Sequence, residues 1–160
     1  MDVQNVEAWT VGTGPGSFAG IRFVLALVKG ICTATRAKCR GVPSGYALAC
    51  ELNADGRVGI VSDARCGKAF VSVFERSGGT CRPVGSPLLV ESQSAWPAEL
   101  DCPVYGTGTP SIAESLQPSL RDRLVTLPPP DAKWLLDADT ALWSWRPDTD
   151  IEPLYVRPPA

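Results

Sequence analysis

The 160-residue sequence contains no histidine at all. That absence removes several chemistries at once. A Ser–His–Asp triad has no base, an HExxH zinc peptidase has no ligands, and a structural zinc would have to be held by cysteine alone. The six cysteines stand at 32, 39, 50, 66, 81 and 102, with no CxxC pair among them, so a zinc knuckle or ribbon is excluded by spacing. Methionine occurs once. There is no basic segment followed by an apolar run at the N-terminus, so no secretion signal is read there. The cysteines are therefore expected to be reduced packing residues of a cytoplasmic protein. The longest apolar stretch, Phe18 to Ala34, is interrupted by Arg22, Lys29 and Gly30. A buried or interface helix is expected there rather than a membrane span.

What is present points to a packed domain. Hydrophobic residues make up 44% and charged residues 20% of the chain, which is enough apolar surface for a core and argues against disorder. The net charge of -2 and pI of about 5.1 disfavour a surface that grips nucleic acid by its phosphates. Residues 1–50 carry Arg22, Lys29, Arg36, Lys38 and Arg40 against Asp2 and Glu7, a net of +3, which leaves -5 for the rest. The asymmetry is mild and reads first as a solvated face.

Periodicity and turn residues lay out the elements. Val6–Val11 reads as a strand, 12–16 as a glycine turn, Ser17 as an N-cap and residues 18–35 as a helix. Ser44 is expected to cap a short helix through Leu52. Strands are expected at 58–62, 69–75, 81–84, 88–90, 103–105 and 124–127, and helices at 94–100, 110–117 and 132–145. The tail from Ile151 is extended and proline-rich. A boundary near 53–57 divides the chain into residues 1–54 and residues 55–160.

The segment Gly12-Thr-Gly-Pro-Gly-Ser-Phe-Ala-Gly20 carries the most information. Strand, glycine turn and helix N-terminus together can bind an anion, because free amides and the helix dipole point the same way. A P-loop is excluded because Gly-Lys-Ser/Thr is missing. Gly14-x-Gly16-x-x-Ala19 fits a relaxed dinucleotide pattern, but no Asp or Glu lies between Glu7 and Glu51 to hold a ribose. The remaining reading is close packing. Gly20 and Gly30 each cost about 1 kcal/mol in a helix relative to alanine, and the helix is apolar nearly all round, so most of its surface must be covered by something.

These residues also carry a resemblance. Val11-Gly-Thr-Gly-Pro-Gly-Ser-Phe-Ala-Gly-Ile-Arg22 resembles the GxGPGSFTGxR hallmark of the TsaB family, with Ala19 in place of the usual threonine. Lys29-Gly30, Gly41-Val-Pro-Ser44 and Ala47-Leu48 are similar to the continuation of that motif. Val61-Ser-Asp-Ala-Arg65, Val104-Tyr-Gly-Thr-Gly108 and Glu152-Pro-Leu-Tyr-Val-Arg157 resemble the family's later landmarks, in family order.

The resemblance implies an α/β, actin-like or ribonuclease H-like (ASKHA) fold of two lobes. It implies further strands ahead of Met1 in a full member, so the first lobe is expected to be incomplete and the 6–11 strand to form an edge. It implies a non-catalytic scaffold for the enzyme that forms threonylcarbamoyladenosine at position 37 of tRNA. The partners would be a TsaD-type catalytic subunit and a TsaE-type ATPase, with a homodimer also allowed and tRNA touched only indirectly. The catalytic relative holds its metal through a His-x-x-x-His motif, for which this sequence has no counterpart. No cofactor is expected on the chain itself; ATP or ADP at a subunit interface is left open. The partner-binding residues carried over are Gly14, Pro15, Gly16, Ser17, Phe18, Gly20, Ile21, Arg22, Leu25 and Lys29. Two other readings stand beside this one: an actin-like nucleotide module using the Gly14–Gly16 and Gly106–Gly108 turns, and an inactive remnant of a chain of the M22 glycopeptidase type.

Overall fold

The computed structural model describes residues 2–91, 93, 100–107, 113–114, 116, 118–146 and 150–156. It is a mixed α/β fold built on two sheets. The first has two parallel strands, β1 (Ala8–Gly12) and β2 (Lys38–Val42), joined by the crossover helix α1 (Phe18–Thr35). The second has five strands in the order β5-β4-β3-β6-β7. They are β3 (Gly56–Arg65), β4 (Lys68–Ser77), β5 (Thr80–Glu91), β6 (Val104–Thr107) and β7 (Leu124–Leu127). Strands β3, β4 and β5 form an antiparallel meander, while β6 and β7 add in parallel.

Local chemistry sets these elements. Ser17 caps α1 by accepting the Gly20 amide at 3.3 Å, and Arg36 ends it in the left-handed conformation, φ 62. The β3–β4 hairpin turns through Cys66 and Gly67, both at positive φ, and the β4–β5 hairpin through Gly78 and Gly79, also at positive φ. Two-residue turns of this hand match the twist of the strands they join.

Four expectations change. β2 was not foreseen as a strand: its sequence, Lys-Cys-Arg-Gly-Val, is short and carries two basic residues. The strands expected at 81–84 and 88–90 are one strand, β5, with a register shift opposite Val71–Val73 and Gly85 at φ 70. Ser44 does stand before α2 (Gly45–Glu51), but it does not cap that helix. Its hydroxyl instead accepts the Gly14 amide at 3.0 Å. The helix expected over 132–145 is a single 3-10 turn, Ala132–Leu135, with Asp131 as its cap. The helices expected at 94–100 and 110–117 fall largely outside the described residues; residues 113–114 are helical, and one further turn runs Pro118–Arg121.

The shortened helix has a specific cause. Arg40, on β2, is 2% exposed. Its guanidinium donates to the carbonyls of Leu135 (3.2 Å), Leu136 (2.7 Å) and Ala138 (2.7 Å), and to the Thr10 hydroxyl (3.1 Å). Those carbonyls would otherwise accept the next turn of a helix. The guanidinium also lies 4.2 Å from the centroid of the Trp145 ring. Burial pulls its pKa below the usual guanidinium value, yet the carbonyl dipoles hold it in the charged form that all these contacts use.

Both faces of the second sheet are covered. Val61, Val71, Val104, Leu100 and Leu116 form one core. Helix α2 closes the other face with Tyr46 and Leu48 against Ile60 and Phe74. Tyr46 meets Phe74 and Trp143 edge-on, at 6.2 and 5.0 Å between ring centroids.

Replacing Arg40 by methionine is expected to lower stability by about 3–5 kcal/mol, because the Leu136 and Ala138 carbonyls then lose the guanidinium and Leu135 keeps only the Ala138 amide at 3.4 Å. Lysine should not restore it, since an ammonium cannot present the planar fork. Urea unfolding measures this; an unchanged midpoint for Arg40→Met would contradict the role assigned to Arg40.

Candidate functional site

The residues singled out in the sequence divide among three surroundings. Gly14 and Pro15 are buried, and Gly16 is half-buried. Gly14 has φ +103, and a Cβ there would stand 2.7 Å from Ile21 Cδ1. The glycine is therefore required twice, for its backbone angle and for the close approach of α1. The loop is tied down on its other side as well. Thr13 donates to the Val42 carbonyl at 2.8 Å, and the Gly14 carbonyl accepts the Ser44 amide at 2.8 Å.

That fixing bears on anion binding. The amides of Thr13, Gly14 and Gly20 are committed to Val42, Ser44 and Ser17. Below the loop lies a cleft of about 330 Å³, lined by Pro15, Gly16, Ser44, Gly45, Leu48, Ile60, Ser62, Asp63, Thr107 and Pro130. Three motifs from distant parts of the sequence converge here: the glycine loop, the Asp-Ala-Arg segment and the Val-Tyr-Gly-Thr turn. The lining has a carboxylate, Asp63, and no lysine or arginine, so its charge opposes a phosphate. Asp63 and Arg65 do not form an ion pair across a strand face. Asp63 Oδ1 accepts the Arg65 amide at 2.6 Å where the β3 register shifts.

Helix α1 shows the larger departure. Leu25, Val28 and Cys32 are buried against the first sheet, with Ile21 and Trp9 packed around them. Leu25 is 3% exposed, so it and Ile21 serve the core and are not available to a partner. Phe18 is exposed but lies under the Arg22 guanidinium, 3.8 Å from its centroid, and Arg22 donates to the Tyr155 hydroxyl at 2.9 Å. Tyr155 of the C-terminal segment thus reaches this flank, which also carries Lys29. The free apolar surface is the opposite flank, where Phe23 is 69%, Leu27 52% and Val24 41% exposed. Ile31 continues this flank at helical spacing. Among the expected contact residues only Gly20 belongs to it.

By length and hydropathy α1 also meets the criterion for a membrane-crossing helix. Its ends, however, join two strands that pair alongside it, so its length is that of a crossover between parallel strands.

A family model described as "TsaD: tRNA N6-adenosine threonylcarbamoyltransferase" matches residues 1–118. The chain belongs to this family. No curated protein matches it. Among solved structures, it is similar to one titled an uncharacterized protein with similarity to peptidase YEAZ, from Pseudomonas aeruginosa. The TM-score is 0.76 at 24% identity, over 98% of this chain and 76% of that one. It is also similar to YeaZ from Pseudomonas aeruginosa, with a TM-score of 0.67 at 22% identity, over 84% of this chain and 65% of that one. At these identities the likeness is one of fold. YeaZ is TsaB, so the motifs of a TsaD-family chain and its fold lead to the same relatives.

The thiols complete the site survey. Five cysteines are buried and Cys66, in the β3–β4 turn, is exposed. Burial pushes the Cys32 thiol up to about 11 and raises that of Cys102, which keeps them neutral packing groups. The folded chain should therefore react with a thiol reagent such as DTNB at Cys66 alone, and at all six positions after unfolding. Several fast-reacting thiols in the native chain would contradict this core. Leu25→Asp should unfold the first sheet, because it buries a charge without a partner, while Leu27→Asp should leave the circular dichroism unchanged. The reverse order would contradict the facing of α1.

Proposed function

We propose that this chain is a non-catalytic, TsaB-like scaffold subunit of the cytoplasmic machinery that makes threonylcarbamoyladenosine in tRNA. It docks on a TsaD-type catalytic subunit through the apolar flank of α1. The observation that carries this reading is the exposure of Phe23, Val24 and Leu27 on one uncharged flank of a capped, well-anchored helix. Isolated exposed apolar side chains are ordinary, but a contiguous flank of them marks a contact surface. Membership of the TsaD family supports the choice of partner. The histidine-free sequence supports a scaffold role over a metal-dependent one.

In this reading the two sheets are the lobes of an actin-like fold with the first lobe incomplete. Residues 1–54 form the remainder of the N-terminal lobe and 55–160 the C-terminal lobe, with α2 laid across onto the second sheet. A TsaE-type ATPase joins the same assembly, and tRNA is reached through the catalytic subunit. The cleft, with Asp63 as its charged group and the Thr13 and Gly14 amides already bonded, fits a nucleotide poorly by itself. ATP or ADP would be held there only with cations supplied across a subunit interface. On this chain the cleft positions the glycine loop, and the loop positions α1.

The proposal is tested by titrating the TsaD-type catalytic subunit from the same organism with the wild-type chain and with Leu27→Asp. Leu27→Asp is expected to weaken binding at least about 30-fold, the loss carried by a hot-spot side chain. Full-strength binding by a folded Leu27→Asp chain would reject the α1 surface. Failure of the wild-type chain to bind would reject the scaffold reading.

A further inference from the structure

Two pairs of buried thiols are in contact, and they differ in what surrounds them. Cys32 of α1 hydrogen bonds with Cys39 of β2. Burial, and after it the second thiol, push Cys32 up, so this pair stays protonated. Cys50, in the last turn of α2, meets Cys81, near the start of β5. Both belong to the core cluster that α2 closes, at 7% and 3% exposed. The Cys50 sulfur accepts a hydrogen bond from the Cys81 thiol and another from the Tyr46 hydroxyl, one helical turn earlier.

A cation completes this second cluster. Arg76 on β4 stands opposite Cys81 in the strand ladder and is 8% exposed. It donates to the Cys50 carbonyl at 3.0 Å and to Asn53 Oδ1 at 3.2 Å. Its Nε is buried and has no partner among the described residues, and an orphaned buried donor is rare enough to call for an explanation. The hydrogen bond from Cys81 pulls the Cys50 thiol below the usual thiol range. Burial and Asp137 oppose this shift, while Tyr46 and the Arg76 charge add to it. Cys81 is pushed the other way and keeps its proton. One sulfur is thus disposed to be a nucleophile, with a second thiol in contact and an uncommitted cationic donor beside both.

We propose that Cys50 and Cys81 form a redox site that reacts with a hydroperoxide and closes to a disulfide between α2 and the β4–β5 hairpin. The Cys50 thiolate attacks one oxygen of hydrogen peroxide. The O–O bond breaks, Cys50 becomes a sulfenic acid, and the departing hydroxide takes up the proton that Cys50 released, giving water. The Cys81 sulfur then attacks the Cys50 sulfur. The S–O bond breaks, the S–S bond forms, and the hydroxide leaves with the Cys81 proton as a second water. Two thiols are oxidised and one peroxide is reduced. The Arg76 Nε is the donor available to the oxygen that leaves. Burial screens the pair from a bulky reagent, so Cys66 remains the thiol that DTNB reaches first, whereas hydrogen peroxide is close to water in size. The bond acts on the cleft, because α2 carries Gly45 and Leu48 into its wall. The proposal does not depend on which partner α1 binds.

Counting thiols in urea tests it, with Cys66→Ser as the starting chain so that the exposed thiol takes no part. The six cysteines less Cys66 leave five. After brief exposure of the folded chain to a small molar excess of hydrogen peroxide, the count should fall by two, and dithiothreitol should restore it. Peptide mapping should place the bond between Cys50 and Cys81, formed at least about tenfold faster than one between Cys32 and Cys39, as the difference in thiolate character requires. In a Cys66→Ser, Cys81→Ser chain the reaction should stop at a Cys50 sulfenic acid that dimedone captures. The same bond mapped in the wild-type chain gives a reading that relies on no variant folding. Five thiols remaining after peroxide would overturn the proposal, as would a Cys32–Cys39 bond that forms first, or dimedone capture at a cysteine other than Cys50.

Discussion

Arg40 is the contact on which the arrangement of this molecule depends. It leaves β2 of the first sheet and binds three carbonyls of a segment almost a hundred residues further along the chain, with Trp145 against its face. That segment carries Trp134 and Trp143, which pack on the α2 side of the second sheet. One buried cation thus ties the first sheet to the cover of the second. Its charge is answered by carbonyl dipoles; among the described residues it forms no ion pair, which fits the fixed fork geometry of a guanidinium.

The same device recurs, and it explains where the positive charge of this chain goes. Arg76 donates to the Cys50 carbonyl and to Asn53 at the end of α2. Arg123 holds the carbonyls of Leu100 and Cys102, and Arg121 those of Ala113, Glu114 and Leu116. These arginines close loops. None lines the cleft under the glycine loop, which keeps Asp63 as its charged group. A loop that looks like an anion cradle in the sequence is in this protein a bracket that holds α1, with its Thr13 and Gly14 amides bonded to Val42 and Ser44.

How far the sequence discloses this depends on the kind of signal. The extent of α1 was legible because a glycine turn and a capping serine mark its start and a long apolar run carries it on. The breaks between β3, β4 and β5 follow from the strand spacing, and Gly67 and the Gly78-Gly79 pair supply the positive φ that their turns require. The facing of α1 was not legible. A helix that is apolar nearly all round has no periodicity to say which side meets the sheet, and choosing the side of Arg22 and Lys29 placed Leu25 at the surface when it belongs to the core. β2 and the interrupted helix after Asp131 were missed for one reason. Both depend on Arg40 being buried, and a lone arginine in a short strand gives no sign of that. The one available clue was topological: a strand followed by a crossover helix calls for a parallel partner strand.

The central claim is that α1 is held rigidly by its inner face so that its outer flank is free for a catalytic partner. Hydroxyl-radical footprinting of the chain, alone and with the TsaD-type subunit, addresses it side chain by side chain. The account predicts that Phe23 and Leu27 are labelled in the free chain and protected in the complex, while Leu136 and Val125, also exposed, keep their labelling. Protection of Leu136 or Val125 with Phe23 and Leu27 unchanged would contradict it.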